Sequence, residues 1–95
     1  MILDFACRDT QALALEGRPI PWLPANLQRV AQRKLWQLNA VERLQDMGIP
    51  PGNRLEKLSG DRKGVFSVRI NDQYRICFVW KEGNAHQVAI VDYHE

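Results

Sequence analysis

Hydrophobic and polar positions change their period once along the 95-residue chain, and the change separates a helical half from a strand half. Leu27, Val30, Ala31, Leu35, Leu38, Val41 and Leu44 recur at steps of three and four, one apolar stripe on a helix. The spacing predicts a long helix over about residues 24–47. Pro24 is tolerated in its first turn, and Gly48 with Pro50 and Pro51 stops it. Arg29, Arg33, Gln37 and Arg43 fall largely outside the stripe. Ahead of this helix, residues 2–6 read as a short strand. Asp9 or Thr10 is placed to cap a short helix that runs through Glu16 and ends at Gly17. Residues 18–24, with prolines at 19, 21 and 24, form a loop.

After Pro51-Gly52 the period becomes two. Residues 54–58 are a candidate strand and residues 59–64 a turn. Residues 65–70 and 74–80 make two clear strands around Asn71-Asp72-Gln73. Residues 81–84 turn again, residues 86–91 form the last strand, and Asp92-Tyr93-His94-Glu95 remains as a tail. The predicted order is β-α-α-β-β-β-β. Helices gathered ahead of consecutive hairpins indicate an α+β fold, with both helices on one face of a mainly antiparallel sheet. One domain over residues 1–95 accommodates this. A chain this short hides only about two-thirds of the surface it exposes when unfolded, so its chemistry belongs on an open face or in a shallow groove.

The central hairpin is the most informative stretch. Phe66, Val68 and Ile70 alternate with Ser67, Arg69 and Asn71; Tyr74, Ile76, Phe78 and Trp80 alternate with Arg75, Cys77 and Val79. A three-residue connection puts both apolar sets on one face, whereas a two-residue connection places Arg75 among core side chains. The first register is favoured. It leaves Arg69 and Arg75 on the open face of neighbouring strands. Like charges that close repel each other, and a phosphate between them relieves the repulsion. Two solvated arginines pointing apart is the plainer alternative, and the pattern alone does not separate the two.

Composition adds limits. Apolar residues make up 45% and charged residues 25%, the balance of a folded soluble domain rather than a disordered chain. No apolar run is long enough to span a bilayer, and the N-terminus lacks the basic and apolar regions of a signal peptide. Cys7 and Cys77 have no metal-ligand spacing and read as two buried free thiols of a reducing cytoplasm. Net charge is +2, but residues 24–75 carry ten Lys/Arg against five Asp/Glu. A basic middle can attract a polyanion, although charge alone favours an ordinary solvated surface.

Three motifs then occur in order. Residues 53–64, Asn-Arg-Leu-Glu-Lys-Leu-Ser-Gly-Asp-Arg-Lys-Gly, precede the hairpin Ser67-Val68-Arg69-Ile70-Asn71-Asp72-Gln73-Tyr74-Arg75-Ile76, and Val91-Asp92-Tyr93-His94 closes the chain. Together with the long helix and its Gly48-Ile49-Pro50-Pro51 break, they resemble the signature of HigB-type toxins of the RelE/ParE superfamily. The resemblance spans nearly the whole chain and is more specific than any single short motif. It implies a toxin of a type II toxin–antitoxin pair, a ribosome-dependent messenger RNA endonuclease working without metal or other cofactor in the cytoplasm. It also implies partners: the ribosome and messenger RNA, a HigA-type helix-turn-helix antitoxin, and operator DNA reached indirectly through the antitoxin complex.

Metal-free cleavage of RNA requires a base for the 2′-hydroxyl, cations for the developing phosphorane charge and an acid for the leaving 5′-oxygen. By the resemblance, Arg69 and Arg75 are the phosphate clamp and His94 the candidate acid or base. Asp92 orients that histidine or acts as base, and Tyr93 stacks on a base or donates a hydrogen bond. Glu56 stands where some members carry histidine, as a candidate base or a plain ion-pair partner. Ser59 stands where some carry lysine. Arg62 and Lys63 on the turn are better substitutes for that charge than Lys57, which a regular strand points to the opposite face. Lys57, Arg62, Lys63 and Arg33 are the remaining candidate RNA contacts. His86 reads as a surface residue, Trp80 as core, and Trp22 and Trp36 as packing residues of the core or the antitoxin interface. Two other functions fit the same fold: a ParE-like poison of DNA gyrase, and a weakly catalytic module that pairs with the antitoxin to tune repression.

Overall fold

A computed structural model describes residues 1–58 and 64–93. Helix α1 spans Arg8–Glu16 and helix α2 spans Ala25–Ala40; strands β1 (Glu56–Lys57), β2 (Val65–Arg69), β3 (Tyr74–Lys81) and β4 (Asn84–Asp92) follow. The strands pair in chain order as one antiparallel sheet. Leu13 of α1 and Leu27, Ala31, Leu35 and Leu38 of α2 join Val68, Ile76, Phe78, Val88 and Ile90 of the sheet in a single core. This is the α+β arrangement that the periodicity predicts, with both helices packed on one sheet face.

The hairpin register also holds. Arg69 lies opposite Arg75, Val68 opposite Ile76 and Phe66 opposite Phe78. Ile70 donates its backbone N–H to the Tyr74 carbonyl at 2.9 Å, which closes a three-residue turn. Asn71 makes that turn: its side-chain oxygen accepts from the backbone N–H groups of Gln73 and Tyr74 at 2.9 and 2.7 Å. Phe66 stacks on Phe78 along the inner face and Trp80 meets Phe78 edge-on, although Trp80 reaches only the margin of the core and stays partly exposed.

Four local expectations give way to tertiary contacts. Residues 2–6 do not form a continuous strand; they make two separate parallel bridges to β4, Ile2 to Ala85 and Phe5 to Val88. The interruption sits where β4 bulges at Gln87, whose φ is 52°, and the Asp4 carboxylate rather than a backbone carbonyl accepts the Gln87 N–H at 2.7 Å. Neither Asp9 nor Thr10 caps α1. Asp9 accepts from the Trp22 indole at 2.9 Å, and the buried Thr10 hydroxyl accepts from the Ile90 backbone at 3.0 Å, tying α1 to β4. The long helix stops at Ala40, and a 3₁₀ turn over Leu44–Gly48 follows. Bending there sinks Met47 completely, while Gln37 bonds the carbonyls of Asp46 and Ile49. Val41 and Leu44 continue the apolar stripe without continuing the helix. The strand expected over residues 54–58 shrinks to Glu56–Lys57, because Arg54 adopts a left-handed backbone with φ 45° and ψ 60°.

Neither Cys7 nor Cys77 forms a disulfide among the described residues, and both are half-buried rather than enclosed. Among the described residues no helix is long and apolar enough to cross a membrane.

Candidate active site

The sheet face away from the helices was expected to be open, and at Arg75 it is not. Arg75 is only 8% exposed. A buried guanidinium is costly unless its donors are satisfied, and here the surrounding residues satisfy them. Its Nε donates to the Ser67 hydroxyl at 2.8 Å, and its Nη2 donates to the Arg54 carbonyl at 2.7 Å. Glu56 stands 3.6 Å away as the counter-charge. The Tyr93 ring lies 5.7 Å from the guanidinium carbon, within the range of a cation–π contact. The left-handed turn at Arg54 explains part of this. It ends the 3₁₀ turn Pro51–Asn53 and leaves the Arg54 carbonyl as acceptor for Arg75.

Arg69 is held differently. It remains partly exposed and pairs at 2.5 Å with Asp72, three residues on in the turn. That hydrogen bond, then the charge of Arg69, holds the Asp72 carboxyl below its ordinary 3.8; Arg54 adds to the effect and slight desolvation opposes it. Because Asp72 is almost fully solvated, the pair is easily exchanged for another anion. Arg69 therefore has a movable anionic partner, and Arg75 has a fixed setting.

These residues surround an open cleft of about 670 Å³ lined by Arg54, Glu56, Arg69, Asn71, Asp72, Gln73, Arg75 and Tyr93. Asp92 and Tyr93 are pinned to its rim. Tyr93 donates its backbone N–H to the Gln73 carbonyl at 2.6 Å, and Gln73 donates through its side chain to Asp92 at 3.0 Å.

The cleft gathers Arg69, Arg75, Glu56 and Tyr93 of the residues singled out from the sequence. Asp92 does not enter it. Asp92 pairs with Tyr74 in the β3–β4 ladder and so shares Tyr74's face, not that of Arg75; its carboxylate accepts from Gln73, which lines the cleft. Lys57 pairs with Phe66 and points away from Glu56 and Arg75, as a regular strand dictates. Arg33 lies in a neighbouring hollow on α2. His94, Arg62 and Lys63 lie outside the described residues. His86 sits inside β4 with its Nδ1 3.1 Å from Asp4, far from this constellation in the ladder.

Four contributors escaped the sequence reading. Ser67 was findable, because it shares a face with Arg69 and is the diagonal neighbour of Arg75. Arg54 stood within the first motif without a role. Gln73 was visible only as a turn residue. Lys34 gave no signal: it looks like one more helix-surface cation. Its ammonium instead reaches the end of β2 and donates to the Arg69 carbonyl at 2.5 Å. Desolvation there, then the charges of Arg69, Arg33 and Arg75, pull its pKa below the ordinary 10.5.

Chemically, the cleft offers fixed and movable guanidinium groups, one carboxylate against the fixed one, and an aromatic hydroxyl at the rim. That set suits a phosphodiester. Comparisons with known proteins give the family. The family model of HigB-like toxins, described as the RelE-like toxin of the type II toxin–antitoxin system HigB, matches residues 18–94. The chain belongs to the HigB-like toxin family. Toxin HigB-1 of Vibrio cholerae is 44% identical over 85 residues, covering 90% of each chain. An uncharacterized protein of Haemophilus influenzae is 39% identical over 68 residues, 72% of this chain and 67% of that one. Membership of a type II system implies an antitoxin as partner for this HigB-like toxin.

Proposed function

We propose that this HigB-like toxin is a ribosome-dependent endoribonuclease that cuts messenger RNA in the cytoplasm, without metal, and is silenced by a HigA-type antitoxin. The observation that carries the proposal is the arginine pair: Arg69 and Arg75 directly opposed across two strands, one anchored and the other paired, among the described residues, with an exposed aspartate. A phosphate bridging them relieves their repulsion and gains charge-assisted hydrogen bonds. In this reading the 2′-oxygen attacks phosphorus as its proton passes to a base. The guanidinium groups stabilise the phosphorane. The bond to the 5′-oxygen then breaks as an acid protonates that oxygen, leaving a 2′,3′-cyclic phosphate and a 5′-hydroxyl.

His94 is the acid or base best suited to neutral pH. Glu56 is the second candidate base, and its ion pair with Arg75 keeps its carboxylate beside the proposed phosphate site. Tyr93 stacks on a nucleobase or donates its hydroxyl, while Asp92 acts indirectly by holding Gln73 and the tail. Arg62, Lys63 and Arg33 extend the contact with RNA. Lys57, on the reverse face, is left without a role in the cleft. The sparse acid–base equipment fits a toxin whose substrate is positioned by the ribosome.

The test is induction of the wild type, His94→Ala and Arg69→Ala, with growth followed and messenger RNA ends mapped by primer extension. Wild-type induction should arrest growth and produce cuts. Both variants should fold, retain antitoxin binding and lose at least about a hundredfold in cleavage. Arrest without cuts would move the protein to gyrase poisoning. A folded wild type that arrests nothing would leave the antitoxin-binding module.

A further inference from the structure

Beside the cleft, on the other side of the Lys34–Arg69 contact, α2 and the Pro51–Asn53 turn enclose a smaller hollow of about 300 Å³. Arg33 and Lys34 supply its charge. Among the described residues neither has an acidic side chain at ion-pair distance. The walls are fixed. Asn53, fully buried, donates to the Met47 carbonyl at 3.0 Å and to the Gln37 side chain at 3.2 Å, and Gln37 donates to the Ile49 carbonyl at 2.7 Å.

The two hollows are contiguous at two points. Lys34 lines the smaller one and bonds the backbone of Arg69, which lines the larger. Asn53 and Arg54 are consecutive residues, one in each lining. The cations thus continue past the arginine pair as a track. Cations this close repel one another, and burial, then the charges of Arg69, Arg33 and Arg75, holds the Lys34 pKa below its ordinary value. A single-stranded nucleic acid carries a negative charge at every nucleotide, and proteins that follow one place cations along its backbone.

We propose that the Arg33–Lys34 hollow is a second phosphate subsite, taking the phosphate of a neighbouring nucleotide while the scissile phosphate lies between Arg69 and Arg75. The proposal rests on the cleft being an RNA site. It makes the preferred ligand a strand of several nucleotides rather than a dinucleotide, with α2 setting its direction of exit. Arg33 is the better probe, since it is exposed and among the described residues its side chain makes no hydrogen bond or ion pair, whereas Lys34 also supports Arg69.

The experiment is a set of NMR-detected titrations of the ¹⁵N-labelled protein, which read affinities into the millimolar range. The ligands are 2′-O-methyl oligonucleotides, which cannot be cleaved: a dinucleotide with one phosphodiester and a tetranucleotide with three. Arg33→Gln should weaken tetranucleotide binding by about threefold to tenfold and reduce the slope of log Kd against log salt by about 0.7, the value for one phosphate contact on a single strand. Dinucleotide binding should change by less than about twofold. Lys81→Gln, at the far end of β3, should alter neither. Equal weakening of both ligands, or an unaltered tetranucleotide affinity in Arg33→Gln, would overturn the subsite. If Arg69→Gln leaves both ligands bound as in the wild type, the cleft itself is not the RNA site and the proposed function falls with the subsite.

Discussion

Arg75 and Arg69 are the same residue type on opposed positions, yet their surroundings give them different properties. Arg75 spends its donors on Ser67 and Arg54 and lies under Tyr93, so its position is set before any ligand arrives. Arg69 depends on Asp72, a solvated turn residue, and can release it to a phosphate. Arg54 connects the two roles, because a left-handed backbone at an arginine is strained and strain of this kind gathers at functional sites. Arg54→Gly should therefore raise stability by about 0.5–1 kcal/mol in urea unfolding, by relieving the positive φ. It should also lower messenger RNA cleavage, because a cleft charge is lost. A variant both less stable and fully active would show that the left-handed turn serves folding rather than the site.

At the scale of elements, β4 organises the molecule. It receives both N-terminal bridges, the Thr10 hydroxyl and the return of the chain to Gln73. Its bulge is held by Asp4, whose carboxyl lies below its ordinary 3.8 chiefly through the backbone hydrogen bond from Gln87, then through His86. A depressed carboxyl pKa stabilises the fold above the unfolded value and stops doing so as pH falls through the folded one. Asp4→Asn should thus be less stable than the wild type at pH 7, and urea midpoints should converge as the pH is taken below about 4. A gap that stays constant with pH would mean that the carboxylate charge contributes nothing at the bulge. The N-terminal segment shows why the first strand was only partly legible. Its alternation gave an extended chain, but whether it forms a ladder depends on a bulge in a strand about eighty residues away.

For the whole molecule, one core joins both helices to the sheet, and among the described residues no part has a core of its own. A domain of this size has a total stability of roughly 5–14 kcal/mol. Leu35, fully buried at the centre of α2, is therefore a large share of it. Leu35→Ala should cost about 2–5 kcal/mol, seen as an equal fall in the denaturant midpoint by circular dichroism and by tryptophan fluorescence. Separate transitions by the two probes would contradict a single cooperative unit. The cleft is built on this core without being part of it: its residues come from Arg54, β1, β2, the β2–β3 turn, β3 and Tyr93 just beyond β4, so it forms only when the sheet is complete.

The sequence by itself determined the fold class, the hairpin register and the opposition of Arg69 and Arg75. These follow from alternation, since a one-residue slip would turn every apolar side chain of a strand to the wrong face. The family motifs, matched over residues 18–94, were likewise legible as residues in order. Only the tertiary structure decided where α2 ends, that Arg75 is enclosed, that Asp92 meets the cleft at its rim through Gln73 and that Lys34 reaches Arg69. Each of these depends on partners distant in the chain: Met47 entering the core below α2, Arg54 turning left-handed toward β3, Tyr74 fixing the face of Asp92. Local periodicity states which face a side chain takes. It does not state what later covers that face, because burial and hydrogen-bond satisfaction are settled only when the elements pack together.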